Sequence, residues 1–444
     1  MEHSLDTHTS APDTPEEWRK VPLSAVADVR FSSVDKLAYP SEEQVRLCNY
    51  TDVYKNDYIA AGLEFMRASA TRKEIDRFGL RVGDVIITKD SETPYDIGIP
   101  AVVDHAEPDI VCGYHLGLIR PDTCLVDPTF LAKQIGHERV AHYFAGQANG
   151  LTRYGLPIGS VNCTPICLPP PAEQKAIGRL FRLLDQAILQ TQENITKHNL
   201  IRTGLQHDLL TRGLDKNGKL RDPITNPQQF SKTSLGLLPK EWKISRLGLH
   251  ATHLTSGSRG WASHYSREGS IFLRIGNLTR EHINLRLDDL IRVRPPPGSE
   301  GERTRTQPQD ILISITADLG IIGVIPDEFP EAFVNQHIAL VRPASDMVAR
   351  WTSRFLAFGP AARHFRLLND SGAKAGMSLP SVESLLIAIP SLEEQREASR
   401  ILDELDDSIA REERITEKLI AMKRGLVDDI LSGRVRVPQD LELE

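Results

Sequence analysis

The chain has 444 residues, 40% of them hydrophobic and 25% charged, which suffices for two or three domains with packed cores. A formal net charge of −7 excludes a chain that holds nucleic acid by bulk charge alone. It leaves room for a local basic face or a partner that supplies charge, and no apolar run approaches the roughly 20 residues that span a bilayer.

In chain order, residues 1–14 are polar, carry no apolar leader core and are expected to be disordered. Residues 15–167 alternate short apolar runs with polar turns. Strands are expected at Val45–Leu47, Val85–Thr88, Ile99–Val103 and His115–Ile119, and one helix over Thr129–Ala148. A Gly-rich polar loop, 146–155, follows that helix. All five cysteines lie before residue 168 and none forms C-x-x-C, so free, mostly buried thiols of a cytosolic protein are expected, with no metal site.

Residues 168–214 change character. After Pro169–Pro171, Glu173 and Gln174 open a proline-free stretch with a 3-4 spaced seam: Ile177, Phe181, Leu184, Ile188, Thr191, Ile195, His198, Arg202, Leu205 and Leu209. That spacing over about four heptads predicts a long coiled-coil helix. Each such block could instead be an amphipathic helix serving its own domain. Residues 215–235 are polar and Pro/Gly-rich and read as a linker.

The pattern then repeats. At a fixed offset of 221, residues 168–212 align with 389–433 without a gap, and 12 of 45 pairs are identical, among them Glu173/Glu394, Gln174/Gln395 and Asp185/Asp406. The second seam is Ala398, Leu402, Leu405, Ile409, Glu412, Thr416, Leu419, Lys423, Leu426 and Ile430, and it turns polar opposite the same places as the first. Weaker echoes pair Pro15–Trp18 with Pro239–Trp242, Gly83–Ile87 with Gln309–Ile313, and His115–Pro121 with His337–Pro343. Residues 236–388 therefore form a second mixed block, with strands at Ile271–Ile275, Ile311–Ile315, Ile321–Ile325 and Ile338–Val341, and a helix over Met347–Leu368. A second long helix occupies 389–436 and a tail 437–444. The fold class is α+β: two similar mixed α/β domains and two long helices in a pseudo-two-fold internal repeat.

The two mixed blocks differ in charge. Residues 15–168 hold 16 basic and 21 acidic side chains, and 239–385 hold 18 and 15, with nine arginines between Arg259 and Arg305. Catalytic signatures are missing: there is no P-loop, no G-x-G-x-x-G after a strand, and no Asn/Asp-Pro-Pro-aromatic motif of amino-methyltransferases. Glu173-Gln174-Lys175 fits half of a nuclease motif, yet no paired Asp precedes it and its copy ends in Arg396. The matched His115 and His337 fit structural hydrogen bonds better than catalysis.

The doubled order, with Leu168-Pro169 through Glu173-Gln174 and Ile389-Pro390 through Glu394-Gln395 before the helices, resembles the specificity subunits of Type I restriction–modification systems. Leu238-Pro239-Lys240-Glu241-Trp242, Arg274-Ile275-Gly276-Asn277 and the helix-end phrases Gly204-Leu205…Leu210 and Gly425-Leu426…Leu431 also match. The resemblance implies two target recognition domains, each reading one half of an asymmetric bipartite double-stranded DNA site. It implies an antiparallel helix pair that sets the spacing and docks two methyltransferase subunits, to which restriction subunits can add. It implies no catalysis and no cofactor in this chain, S-adenosylmethionine being held by the partners. Candidate DNA contacts are Lys89, Asn149, Thr152, Arg153, Arg259, Arg274, Asn277, Ser371, Gly372 and Lys374. Candidates for helix pairing and partner docking are Ile177, Phe181, Leu184, Ile188, Leu205, Leu402, Leu405, Ile409, Leu419 and Leu426. A DNA-binding scaffold of another phage-defence or methylation complex, or a protein-interaction scaffold without DNA contact, stays open.

Overall fold

In the mixed blocks, short apolar runs bury both faces of a sheet, because successive side chains point to opposite sides. Val85 and Ile87 enter one core while Ile86 enters another, and Ile311 and Ile313 part from Leu312 in the same way. The computed structural model describes residues 15, 17–257, 259–295, 298–370 and 376–438. It divides into two units, Met1–Gln192 with Arg414–Glu444, and Glu193–Glu413.

The first unit is built on a five-stranded sheet in the order Ala27–Phe31, Leu116–Pro121, Val85–Thr88, Pro100–Val103, Tyr58–Ile59. All neighbours are antiparallel except the last pair. A three-stranded sheet (Met66–Ala70, Glu43–Cys48, Ile110–Cys112) covers one face. Helices Pro128–Gly136 and Glu138–Gln147 and the start of the first long helix cover the other, sharing a core that includes Phe130, Phe144, Ile177 and Phe181. All five cysteines are free; Cys48, Cys112 and Cys167 are buried, and Cys124 and Cys163 exposed.

The second unit repeats the plan. Strands Ala251–Ser256, Ile338–Pro343, Ile311–Ser314 and Ile322–Val324 form an antiparallel sheet. A second sheet runs Tyr265–Ser266, Ile291–Val293, Ser270–Leu273, Ala332–Val334. The sequence echoes mark a shared bolt. Arg120 donates through Nε and Nη2 to both oxygens of buried Asp84, at 2.8 and 2.7 Å, and Arg342 does the same to Asp310, at 2.8 Å twice. Such bidentate pairs are strong and fix geometry.

Three expectations need correction. Thr129–Ala148 is two helices, because His137 takes an extended backbone and its Nδ1 caps the second helix at Arg139 N. Met347–Leu368 likewise splits into Ala349–Ala357 and Ala362–Asp370 around Gly359-Pro360, where proline lacks the amide a continuous helix needs. Residues 215–235 are no bare linker: Asp215 accepts from the amides of Asn217 and Lys219, a hairpin joins Phe230–Thr233 to Gly236–Pro239, and Arg221 is buried.

The long helices run Pro171–Thr211 and Leu392–Leu431, 41 and 40 residues, or about 60 Å each at ~1.5 Å per residue. Within the first unit Asp185 pairs with Lys423, at 2.6 Å, and within the second Arg202 meets Asp406, at 3.5 Å. The start of each helix thus lies beside the end of the other, which makes the pair antiparallel. Every seam position named above is buried or half-buried.

Candidate nucleic-acid interface

Each long helix is bolted at its start to the mixed block that precedes it. Gln174 accepts from Asp127 N, at 3.0 Å, and donates to the carbonyls of Pro169 and Leu125. Gln395 accepts from Val348 N, at 2.8 Å, and donates to Pro390 and Asp346. The preceding glutamate is held by an arginine lying beyond the end of the opposite helix. Arg436 donates twice to Glu173, both at 2.6 Å, and Arg221 donates to Glu394 at 2.6 and 3.3 Å. Glu394 also accepts from Trp242 Nε1 and Leu214 N, so this buried carboxylate is fully used. Gly213, at φ +62°, must be glycine: a Cβ there would meet Glu394 Oε1 at 2.1 Å and the Trp242 ring at 2.4 Å.

A charge knot recurs halfway along. Asp185 is met by Lys133 at 2.7 Å, by Lys423 at 2.6 Å and by the Tyr58 hydroxyl at 2.8 Å. Its repeat partner Asp406 is met by Arg354 at 2.6 Å and by Arg202. Lys133 and Arg354 stand 221 apart, as do Arg202 and Lys423, so each unit joins one aspartate to a cation of its short helix and a cation of the opposite long helix. Two polar interruptions of the seams, Arg202 and Lys423, belong to these joints.

The residues expected to touch DNA fall into three groups. Asn149, Thr152 and Arg153 are exposed on the loop after the paired short helices, and Arg259 is exposed beside Gly260, whose φ is +88°. Lys89 and Arg274 are half-buried: Lys89 stacks over Phe31 near Asp90, and Arg274 donates to Asp289. Asn277 is buried. It is only 1% exposed, and its amide ties Arg274 N to the carbonyls of Arg286 and Asp289, so its side chain is spent in shaping the loop. Ser371, Gly372 and Lys374 lie outside the described residues.

The seam residues expected to serve helix pairing and partner docking are enclosed. Ile177, Phe181 and Leu402 are at most 1% exposed, and the other expected docking residues are buried or half-buried, so the seam is consumed by packing. The large apolar groups left open on the long helices are others: Leu183, Leu189, Leu200, Ile201, Ile415, Ile420 and Met422.

Glu92 and Tyr95, exposed near the Asp90–His115 pair, were not legible beforehand, because an isolated acid or aromatic in a loop has no periodicity. The matched histidines carried the available signal. His115 Nδ1 bonds Asp90 at 2.8 Å and His337 Nδ1 bonds Thr316 at 2.6 Å, the structural role expected of both.

Residues 301–421 match the family model of the Type I restriction modification DNA specificity domain. The chain is 21% identical over 448 residues to a Methanocaldococcus jannaschii protein assigned as the MjaX specificity subunit of a type I restriction enzyme, covering 97% of this chain and 96% of the other. The MjaVIII specificity subunit of the same organism is 21% identical over 285 residues, 61% of this chain and 62% of that one. The fold is that of a Type-I restriction-modification S subunit from M. genitalium, with TM-score 0.59 and 16% identity over 93% of this chain and 95% of that one. The specificity-subunit resemblance read from the doubled motifs is thus borne out, and the likeness spans both repeats.

Proposed function

We propose that the chain is the DNA-reading, non-catalytic subunit of a Type I restriction–modification complex. Each recognition block reads one half of an asymmetric bipartite double-stranded site, and the paired helices carry two methyltransferase subunits. The observation that carries the reading is the repeated frame with unlike surfaces. The bolts at Asp84/Asp310, Gln174/Gln395 and Asp185/Asp406 recur, whereas the loops and charges between them diverge. A kept frame with changed loops suits two readers of different sequences. Lys89, Asn149, Thr152 and Arg153 serve the first half; Arg259, Arg274, Ser371, Gly372 and Lys374 serve the second.

The open apolar residues Leu200, Ile201 and Met422, at 70%, 51% and 55% exposure, fit burial under protein partners. Those partners supply S-adenosylmethionine and the transfer chemistry, restriction subunits can join them, and the complex works in the cytoplasm. Among the described residues no helix is long and apolar enough to cross a membrane.

The test is binding with and without the modification subunits. At net charge −7 the isolated chain is expected to bind duplex DNA weakly, with an affinity that falls steeply with salt. The assembled complex is expected to bind one bipartite sequence tightly. Site-specific nanomolar binding by the lone chain at physiological salt, or a complex without sequence preference, would contradict the proposal.

A further inference from the structure

We infer that a polar pocket in the first unit reads a G·C base pair through Arg153 and Glu92. This rests on the DNA-reading role proposed above. The pocket, of about 400 Å3, is walled by Tyr50, Asp90, Glu92, Asp96, His115 and Arg153, among others. Most of these groups are spent within the protein. Asp90 binds His115 Nδ1, Asp96 accepts from the Tyr54 hydroxyl at 3.0 Å, and the Tyr50 ring stacks on Tyr54.

Two groups of opposite charge are left over. Arg153 and Glu92 are exposed, and among the described residues neither makes a hydrogen bond or ion pair. Both line the pocket beside a short ladder in which Tyr154 pairs with Ser91 and Gly155 with Asp90. The pocket therefore offers a guanidinium fork and a carboxylate. In the major groove guanine presents two acceptors, N7 and O6, and its cytosine presents the N4 donor. Arginine matches the first and glutamate the second. Adenine offers only one acceptor to the fork, and a phosphate would be repelled by Glu92. Leu151 and Tyr95, 94% and 82% exposed on the two flanking loops, add open apolar surface at the pocket's edge.

The second unit keeps the frame but, among the described residues, spends this chemistry differently. Thr316 and Gly376 bridge where Asp90 and Gly155 do, and Thr316 holds His337 as Asp90 holds His115. There, however, Gln336 covers the other nitrogen of the ring, at 2.9 Å. The acid matching Glu92, Asp318, is paired with Arg280. The G·C contact therefore belongs to the first half-site.

The test uses the complex assembled with its modification subunits and measures its affinity for sites substituted one pair at a time. The wild-type complex is expected to lose about 10-fold or more when one G·C pair of the first half becomes A·T. Arg153→Ala is expected to cut that discrimination below about 2-fold and leave the second half unchanged, and Glu92→Gln to loosen the same pair. Both side chains are exposed and unbonded, so an unchanged melting temperature checks that the variants fold. Equal weakening of all sequences by Arg153→Ala would identify a phosphate contact and overturn the assignment, as would full discrimination retained in both variants. A wild-type complex without sequence preference would instead overturn the DNA-reading role itself.

Discussion

At the residue scale, buried ion pairs define the helix starts. Removing one partner of such a pair leaves the other charge buried and unpaired, at a cost of about 3–5 kcal/mol. Arg221→Ala, which strips Glu394 of its cation, is expected to destabilise the second unit by about that amount in denaturant melts. A cost below ~1 kcal/mol would show that Trp242 and Leu214 satisfy Glu394 alone. A pH test falls on Asp57. Burial disfavours its carboxylate, but Lys133 at 3.0 Å and Lys423 at 2.9 Å outweigh that and hold its pKa down at about 2. A depressed carboxylate stabilises the fold above its unfolded value, near ~4, and the contribution is lost as pH falls toward the folded value. Asp57→Asn is therefore expected to lower the melting temperature at pH 7 and to have no effect below about pH 2, where wild type is protonated too. Residue identities such as Glu173/Glu394 were legible as repeats. Their partners were not, because Arg221 and Arg436 stand at unequal distances from the helix ends and belong to no common offset.

At the scale of elements, the strands with continuous apolar runs were readable: Val85–Thr88 and Ile338–Pro343 are buried on both faces and lie where expected. Ala251–Ser256 escaped, because it is an edge strand of Thr, His and Ser with a bulge between Ala251 and His253. The broken helices escaped because the 3.6 period runs through His137 and Gly359 without marking the change of direction. The long helices were legible from the seam, and the structure adds why it turns polar: Arg202 and Lys423 answer Asp406 and Asp185. Cysteines at Leu184 and Leu426, which share one core, are expected to cross-link efficiently above the background of the native thiols. A Leu184–Leu405 pair, which only a parallel arrangement would bring together, is not. Efficient linking of that second pair would refute the antiparallel assembly.

At the scale of the whole molecule, the compact units cut across the blocks seen in the sequence. Each unit owns one recognition block, one end of the first long helix and the opposite end of the second. The linear reading could not show this, since it assigns each helix to the block before it. Only tertiary pairing reveals that residues 414–444 close the first unit. The candidate reading surface was the least legible part: it depends on which loop groups the fold leaves unspent, and Asn277 is spent within the protein whereas Glu92 is left exposed. The central claim is that two independent readers share one frame. The most direct measurement exchanges residues 236–388 for the matching block of a related chain and sequences the methylated positions of the host genome. One half of the methylated sequence is expected to change and the other to stay. A change in both halves, or in neither, would contradict the claim.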